Sequence, residues 1–218
     1  NAETSCEGEP VNTVYTIGHS TNSSERFVKL LQQHGITAVG DVRSTPYSRF
    51  NPQFNRETLA TELTNVGIAY VFLGKELGAR PDDPTCFRDN KVQYDSLAKT
   101  DLFKNGLERV KSGAKDHRIA LMCAEKDPLD CHRTVLVARR LVEQGLSLKH
   151  VLADGKIEDH EEALDRLLNM FSLGSPDFFK TKDDAIIEAY EKRGEAIAYS
   201  EASENDGDEE LSQKQGLG

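Results

Sequence analysis

The stretch LMCAEKDPLDCHR at residues 121–133 decides the fold prediction. It begins at the end of an apolar run, residues 119–122, that is typical of a buried strand, and residues 134–144 after it have the spacing of an amphipathic helix. In an open parallel sheet, the loop between a strand and the next helix lies at the ligand-binding edge. This loop contains two thiols, a carboxylate, an imidazole and a guanidinium, which can supply a nucleophile, an acid or base, and an anion ligand.

Strand and helix patterns alternate on both sides of this loop. Short apolar runs predict strands at residues 13–17, 36–42, 68–73 and 148–152. Helical spacing predicts helices in the segments between them, among them residues 94–111 and 161–171. Such alternation favours parallel strands joined by right-handed crossovers. The sequence therefore predicts an α/β fold, a single domain with a mostly parallel five-stranded sheet and helices on both faces.

Composition divides the chain into a central domain and two terminal segments. Residues 1–12 have the polar composition of a disordered lead-in, residues 13–172 hold the predicted α/β domain, and residues 173–218 are predicted to form a helical extension (184–199) and an acidic, disordered tail. Residues 181–218 carry eleven acidic and four basic side chains, so most of the net charge of -10 lies there. The domain itself is near neutrality, which is compatible with a local basic cleft.

Cysteine usage and hydropathy predict a cytoplasmic protein. The four cysteines are scattered over 218 residues and do not form a disulfide framework, so reduced thiols are expected. No apolar run approaches the length of about 20 residues that spans a bilayer, and no apolar signal segment is visible. We therefore expect no contact with a membrane.

Polar side chains follow three of the predicted strands. His19 follows the first strand, Asp41 and Arg43 follow the second, and Cys123 and Glu125 follow the strand at 119–122. The carboxyl ends of neighbouring parallel strands meet at one edge of a sheet. We therefore expect these five side chains to converge there.

Four of these side chains are candidate catalytic groups. A helix N-terminus favours a reactive thiolate at Cys123, although an inert, buried thiol fits the pattern equally well. Glu125 is a candidate nucleophile or general base, or a loop carboxylate paired with an arginine. His19 and Asp41 are candidates for proton transfer; the alternatives are a histidine that fastens neighbouring loops and a structural ion pair with Arg43.

A second group of residues is predicted to bind an anionic substrate. Cations from separate loops suit phosphate, and aromatic side chains at Tyr47, Phe50 and Phe54 could stack a base, unless they fold into the core. The predicted partner is therefore an anionic small molecule or a nucleic acid. The candidate binding residues are Arg43, Ser44, Arg49, Lys75, His132 and Arg133.

Metal and cofactor motifs are weak. Cys123, Cys131 and His132 offer donor atoms for zinc, but the spacing lacks the Cys-x2-Cys pair of regular zinc sites, so a role for His132 in orienting the loop is favoured. No Walker loop and no dinucleotide fingerprint occurs, because Gly74 and Gly78 lack the required spacing. The sequence predicts no cofactor.

Four ordered motifs carry a resemblance to a known family. They are TIGHS at residues 16–20, DVRSxPxSRFxPxF at 41–54, LGxELG at 73–78 and MCxExxPxxCHR at 122–133. Together they resemble domain-of-unknown-function family 488, over roughly residues 14–168. The resemblance implies a compact α/β domain with the motif residues around a shared cleft, and it implies nothing for the acidic C-terminal segment.

The leading functional hypothesis is a hydrolase or transferase acting on a nucleotide-like or nucleic-acid substrate. An N-glycosidic bond is a plausible target, since a carboxylate beside an anion ligand suits that chemistry. Two alternatives belong to other classes. One is a non-catalytic module that binds nucleic acid through the arginine and aromatic loop. The other is a thiol redox or sulfur-transfer protein that uses Cys123 and Cys131.

Overall fold

A mostly parallel sheet forms the centre of the molecule. The computed structural model describes residues 13–174 and 180–201. Neighbouring strands follow the order β3-β2-β6-β1-β7-β8, and every pairing is parallel except that of β7 with β8. A separate antiparallel ribbon consists of β4 and β5. The strands are β1 (Thr13–Gly18), β2 (Ala38–Asp41), β3 (Ala69–Phe72), β4 (Phe87–Arg88), β5 (Lys91–Val92), β6 (Ile119–Cys123), β7 (Ser147–Val151) and β8 (Ile157–Asp159).

Helices cover both faces of this sheet. Side chains of α1 and α2 pack with one set of inward residues, including Tyr15 and Met122, and side chains of α5 and α6 pack with the other set, including Val14 and Leu121. Alternate residues of a strand face opposite sides, which explains the two cores. The helices are α1 (Ser24–Gln33), α2 (Arg56–Asn65), α3 (Gly74–Leu77), α4 (Tyr94–Leu97), α5 (Asp101–Gly113), α6 (Arg139–Glu143), α7 (His160–Met170) and α8 (Lys182–Ile197), with 3-10 turns at Pro52–Phe54, Pro84–Cys86 and Pro128–Asp130 and a π-helix at Arg133–Ala138.

The predicted single α/β domain with a mostly parallel sheet is confirmed, with three differences in detail. The sheet has a sixth strand, β8, whose three residues are too few to give a periodic signal. The helix predicted at 94–111 is two helices, because the Thr100 hydroxyl accepts the backbone N–H of Phe103 and starts a new helix there. The helix predicted at 134–144 begins as a π-helix.

The predicted C-terminal helix is present as α8 and packs on the domain. Its buried residues Ala189 and Tyr190 join a third core with Leu167 of α7 and Leu129. After α8 the chain pairs with β5, where the Val92 N–H donates to the carbonyl of Tyr199 at 3.0 Å. The predicted lead-in and most of the predicted tail lie outside the described residues. Within the described ranges, none of the helices is long and apolar enough to cross a membrane.

A buried chain of hydrogen bonds ties α7 and α8 to the sheet. Thr16 Oγ1 lies 2.7 Å from His150 Nδ1, His150 Nε2 lies 3.0 Å from His160 Nδ1, and His160 Nε2 lies 2.9 Å from the Tyr190 hydroxyl. The contact between the two imidazoles holds only one proton, so the two rings cannot both be charged. Burial lowers the pKa of His160 to about 4 and, with the charges of His160, Arg133 and Arg166, lowers the pKa of His150.

This histidine pair predicts a loss of stability in acid. Unfolded histidines titrate near 6.5, above their folded pKa, so the unfolded chain binds protons that the native protein does not bind. The free energy of unfolding should therefore fall as the pH is lowered from about 6.5 towards 4. Urea unfolding of the wild type and of His160→Gln at several pH values measures this effect.

The pH dependence should be shallower in His160→Gln than in the wild type. His117→Gln, at an exposed histidine, is the control and should keep the wild-type slope. Equal slopes for the wild type and His160→Gln would contradict this assignment.

Candidate functional site

Backbone hydrogen bonds bring three strand ends together at one edge of the sheet. The His19 N–H donates to the Cys123 carbonyl at 2.9 Å, and the Ser20 N–H donates to the Ala124 carbonyl at 2.9 Å. On the other side, the Val42 N–H donates to the Met122 carbonyl at 3.0 Å. The loops after β1, β2 and β6 therefore start from fixed positions, as the parallel arrangement predicts.

Asp41 and Arg43 form a buried ion pair beneath these loops. Arg43 Nη2 lies 2.6 Å from Asp41 Oδ2, and Arg43 Nε donates to Oδ1 at 2.9 Å. The hydroxyl of Tyr70 donates to Oδ2 at 2.8 Å, and Arg43 Nη2 also donates to the Phe54 carbonyl at 2.8 Å. Burial lowers the pKa of Arg43, but the bond to Asp41 outweighs that effect and raises it. Both carboxylate oxygens are occupied, which favours the structural role of Asp41 over proton transfer.

His19 is buried beside this pair as a neutral ring. Its Nδ1 lies 2.8 Å from the carbonyl oxygen of Ser20 and so carries the proton, while Nε2 lies 3.3 Å from Arg43 Nη1 and accepts. The ring stacks on Phe54 with centroids 4.2 Å apart. Burial, followed by the nearby charge of Arg43, lowers the pKa of His19 to about 4 although the bond to Ser20 opposes the shift. These contacts match the loop-fastening alternative.

Cys123, Cys131 and His132 form a compact group that we name the sulfur–imidazole cluster. Cys123 ends β6, whereas Cys131 and His132 follow the 3-10 turn at Pro128–Asp130. His132 Nδ1 lies 3.8 Å from each sulfur, and all three donor atoms lie within 4.8 Å of one another. His132 Nε2 lies 3.0 Å from the Val42 carbonyl and donates to it. The cluster is thus fixed to both β6 and the end of β2.

The pKa values of the two thiols are shifted in opposite directions. The pKa of Cys123 is raised because its thiol hydrogen-bonds Cys131 and is buried. Burial also opposes ionisation of Cys131, but the Cys123 thiol, Arg133 and His132 stabilise its thiolate and lower its pKa. Burial lowers the pKa of His132, but the charge of Cys131 outweighs it and raises the pKa.

Glu125 lies at the edge of the cluster. Its Oε2 is 2.9 Å from Cys131 Sγ, while the residue as a whole keeps contact with solvent. Partial burial of the carboxylate, together with Cys131, raises the pKa of Glu125. The carboxylate therefore lies between the sulfur–imidazole cluster and the solvent.

Arg133 holds the loop that carries Glu125. It is fully buried, and its Nη1 and Nη2 donate to the carbonyls of Glu125 at 2.8 Å and Lys126 at 3.4 Å. A side chain at Gly18 would overlap the Glu125 carbonyl, so the close approach of β1 to this loop requires glycine. Arg133 thus acts on the loop backbone, and its burial does not favour the predicted role as a phosphate ligand.

A pocket of about 300 Å³ opens onto the cluster. Of the predicted binding residues, Arg43, Ser44 and His132 line it. Arg49 and Lys75 are exposed residues that do not line it, and Phe50 beside Arg49 is 86% exposed on the outer surface. The pocket is lined by Arg43, Ser44, Thr45, Ala79, Arg80, Tyr94, Cys123, Ala124, Glu125, Asp130, Cys131, His132, Ile197 and Tyr199.

Several of these lining residues were not predicted. Tyr94 lies in a segment whose sequence gives no signal of a site, and Ile197 and Tyr199 belong to the C-terminal extension. Only the pairing of residues 198–201 with the β4–β5 ribbon brings Tyr199 to the pocket. Such a long-range contact leaves no local pattern in the sequence.

The buried ion pair predicts a large effect of Asp41→Asn on stability. Removing the carboxylate charge leaves Arg43 buried without its counter-charge, which should lower the free energy of unfolding by about 3 kcal/mol. Urea unfolding at neutral pH measures the change.

Asp165→Asn is the matched control for this prediction. Asp165 pairs with Lys182 at 3.5 Å, but both side chains are largely exposed, so the substitution should change stability little. Equal effects of the two substitutions would contradict a structural role for the Asp41–Arg43 pair.

Comparison with known proteins identifies the family. Residues 23–140 match the family model described as "Domain of unknown function DUF488". This region contains Asp41, Arg43, Glu125 and the whole sulfur–imidazole cluster, whereas His19 precedes it. No curated protein and no solved structure matches the chain. Because the matched region spans more than half of the 218 residues, the chain belongs to the DUF488 family.

Proposed function

We propose that this protein is a hydrolase or transferase that acts on a nucleotide-like, anionic substrate in the pocket above the sulfur–imidazole cluster. The observation that carries the proposal is the position of Glu125, whose Oε2 lies 2.9 Å from Cys131 Sγ in the lining of that pocket. A carboxylate held at a pocket floor, but open to solvent, is placed to exchange protons with a bound substrate.

Arg80 is the proposed ligand for the anionic group of the substrate. Its backbone N–H donates to Ser44 Oγ at 3.0 Å, and its guanidinium lies 4.4 Å from the ring centroid of Tyr199. Arg43 also lines the pocket, but the bonds to Asp41 already use its guanidinium. The half-buried rings of Tyr94 and Tyr199 offer apolar faces against which a base could stack.

An N-glycosidic bond is the proposed target. In hydrolysis, the oxygen of water forms a bond to the sugar carbon while the bond to the base breaks, and the proton released by water must reach the departing base. Glu125 can accept this proton from water and deliver it to the departing base. In a transferase the hydroxyl of an acceptor takes the place of water, and the proton balance is the same.

Loss of the Glu125 carboxylate should abolish most of the activity. Glu125→Gln keeps the size of the side chain but cannot take up a proton, so kcat should fall by about 100-fold or more. The measurement is base release from a panel of nucleosides and nucleoside monophosphates, followed chromatographically.

Glu108→Gln is the matched control, because Glu108 is exposed on α5 and pairs only with Lys111 among the ion pairs described. This variant should turn over substrate like the wild type. Unchanged turnover in Glu125→Gln would remove the basis of the proposed mechanism.

Arg80→Ala should weaken substrate binding and leave the chemical step nearly intact. Removal of the guanidinium deletes the contact with the anionic group, so KM for a nucleoside monophosphate should rise about tenfold while kcat changes little. The uncharged nucleoside should show no such change. Arg26→Ala, at an exposed arginine of α1, is the control. A similar increase in KM for the uncharged nucleoside would show that Arg80 does not bind the anionic group.

A further inference from the structure

We propose that the sulfur–imidazole cluster binds one zinc ion through Cys123 Sγ, Cys131 Sγ and His132 Nδ1, with the fourth coordination position facing the pocket beside Glu125. This inference deepens the proposed function, on which its catalytic part rests, but the binding of the metal can be tested separately.

The imidazole nitrogen has nearly the spacing from both sulfurs that a tetrahedral site needs. Zinc–sulfur bonds of about 2.3 Å and zinc–nitrogen bonds of about 2.0 Å place neighbouring tetrahedral donors about 3.5–3.8 Å apart. His132 Nδ1 lies 3.8 Å from Cys123 Sγ and 3.8 Å from Cys131 Sγ. All three donor atoms lie within 4.8 Å of one another, so a single ion between them is within reach of each.

The proposed ligand residues also have the hydrogen-bond partners that are typical of metal ligands. Metal-binding histidines usually donate their other ring N–H to a carbonyl or carboxylate, and His132 Nε2 has such a partner in the Val42 carbonyl at 3.0 Å. This bond places the proton of the neutral ring on Nε2, so Nδ1, which lies 3.8 Å from both sulfurs, is the ring atom available to a metal ion. The backbone N–H of Arg133 lies 3.4 Å from Cys131 Sγ and supports a thiolate there. All three ligand residues are buried, so their positions are set by packing.

The donor set favours zinc. Two soft thiolates and one imidazole suit zinc, whereas magnesium and calcium take oxygen ligands. Two thiolates also neutralise the charge of a divalent ion, so its burial needs no further counter-charge. Regular structural zinc sites have four protein ligands; three protein ligands and an opening to solvent are typical of catalytic sites.

The fourth coordination position of the zinc ion would be open to the pocket. Cys123, Cys131 and His132 all line the pocket, and Glu125 lies at the same floor. Zinc held there would lower the pKa of a bound water, whose proton Glu125 would accept; the water oxygen would bond the sugar carbon as the bond from that carbon to the base breaks, and Glu125 would pass the proton to the departing base. Zinc deaminases use the same types of residue, two cysteines, one histidine and a glutamate that is not a ligand.

Metal analysis of the full chain tests the site without any knowledge of the substrate. Protein purified under reducing conditions should contain about one zinc per chain. The variants Cys123→Ser, Cys131→Ser and His132→Gln should lose the metal. Cys86→Ser, at a buried cysteine outside the cluster, and Glu125→Gln should keep it.

Cobalt substitution of the wild type gives an independent readout if the ligand variants do not fold. Chelator-treated protein titrated with Co²⁺ should develop thiolate-to-cobalt absorption and the intense visible bands of a tetrahedral ion, saturating at about one equivalent. Zinc should then displace the cobalt and remove the bands.

Three results would overturn the zinc site. They are absence of bound metal together with a Cys123–Cys131 disulfide, a six-coordinate cobalt spectrum, and loss of zinc in Glu125→Gln, which would make Glu125 a fourth ligand. The zinc site and the proposed function can be tested independently of each other. Zinc in a protein that turns over no member of the nucleotide panel would contradict the proposed function alone, and turnover by metal-free protein would contradict the catalytic role of the zinc alone.

Discussion

The parallel pairing of β6 with its two neighbours is the constraint on which the rest of the site depends. The strand lies between β1 and β2, and the hydrogen bonds of both pairings continue past the strand end to His19, Ser20 and Val42. Three loops therefore leave the sheet from fixed positions within a few ångströms. A shift of register by one residue would turn Cys123 to the opposite face and separate it from His132.

A buried pair of opposite charges supports these loops. Asp41 and Arg43 are almost completely enclosed, and desolvation of two charges is tolerated only where each donor and acceptor finds a partner. Tyr70, Phe54 and His19 supply those partners. Two of the predicted catalytic residues, His19 and Asp41, thus have structural contacts, whereas Glu125 keeps contact with solvent.

The sequence predicts the location of the site better than the roles within it. Apolar runs that end in polar residues identify the strand ends, which is why His19, Asp41 and Cys123 converge as expected. Periodicity carries no information on where a long side chain ends, so Arg133, Arg49 and Lys75 could not be placed. The spacing of regular zinc motifs likewise does not identify Cys123 and Cys131 as candidate zinc ligands. Those motifs have no counterpart of the 3-10 turn that brings Cys131 close to Cys123.

The lining of the pocket comes from two parts of the chain. Glu125 and the sulfur–imidazole cluster lie inside the region shared with the DUF488 family, whereas Ile197 and Tyr199 come from a segment beyond residue 140. The other lining residues, including Arg80 and Tyr94, also lie inside the matched region. A relative that differs only in the segment beyond residue 140 would therefore have a pocket of altered shape around an unchanged Glu125 and sulfur–imidazole cluster.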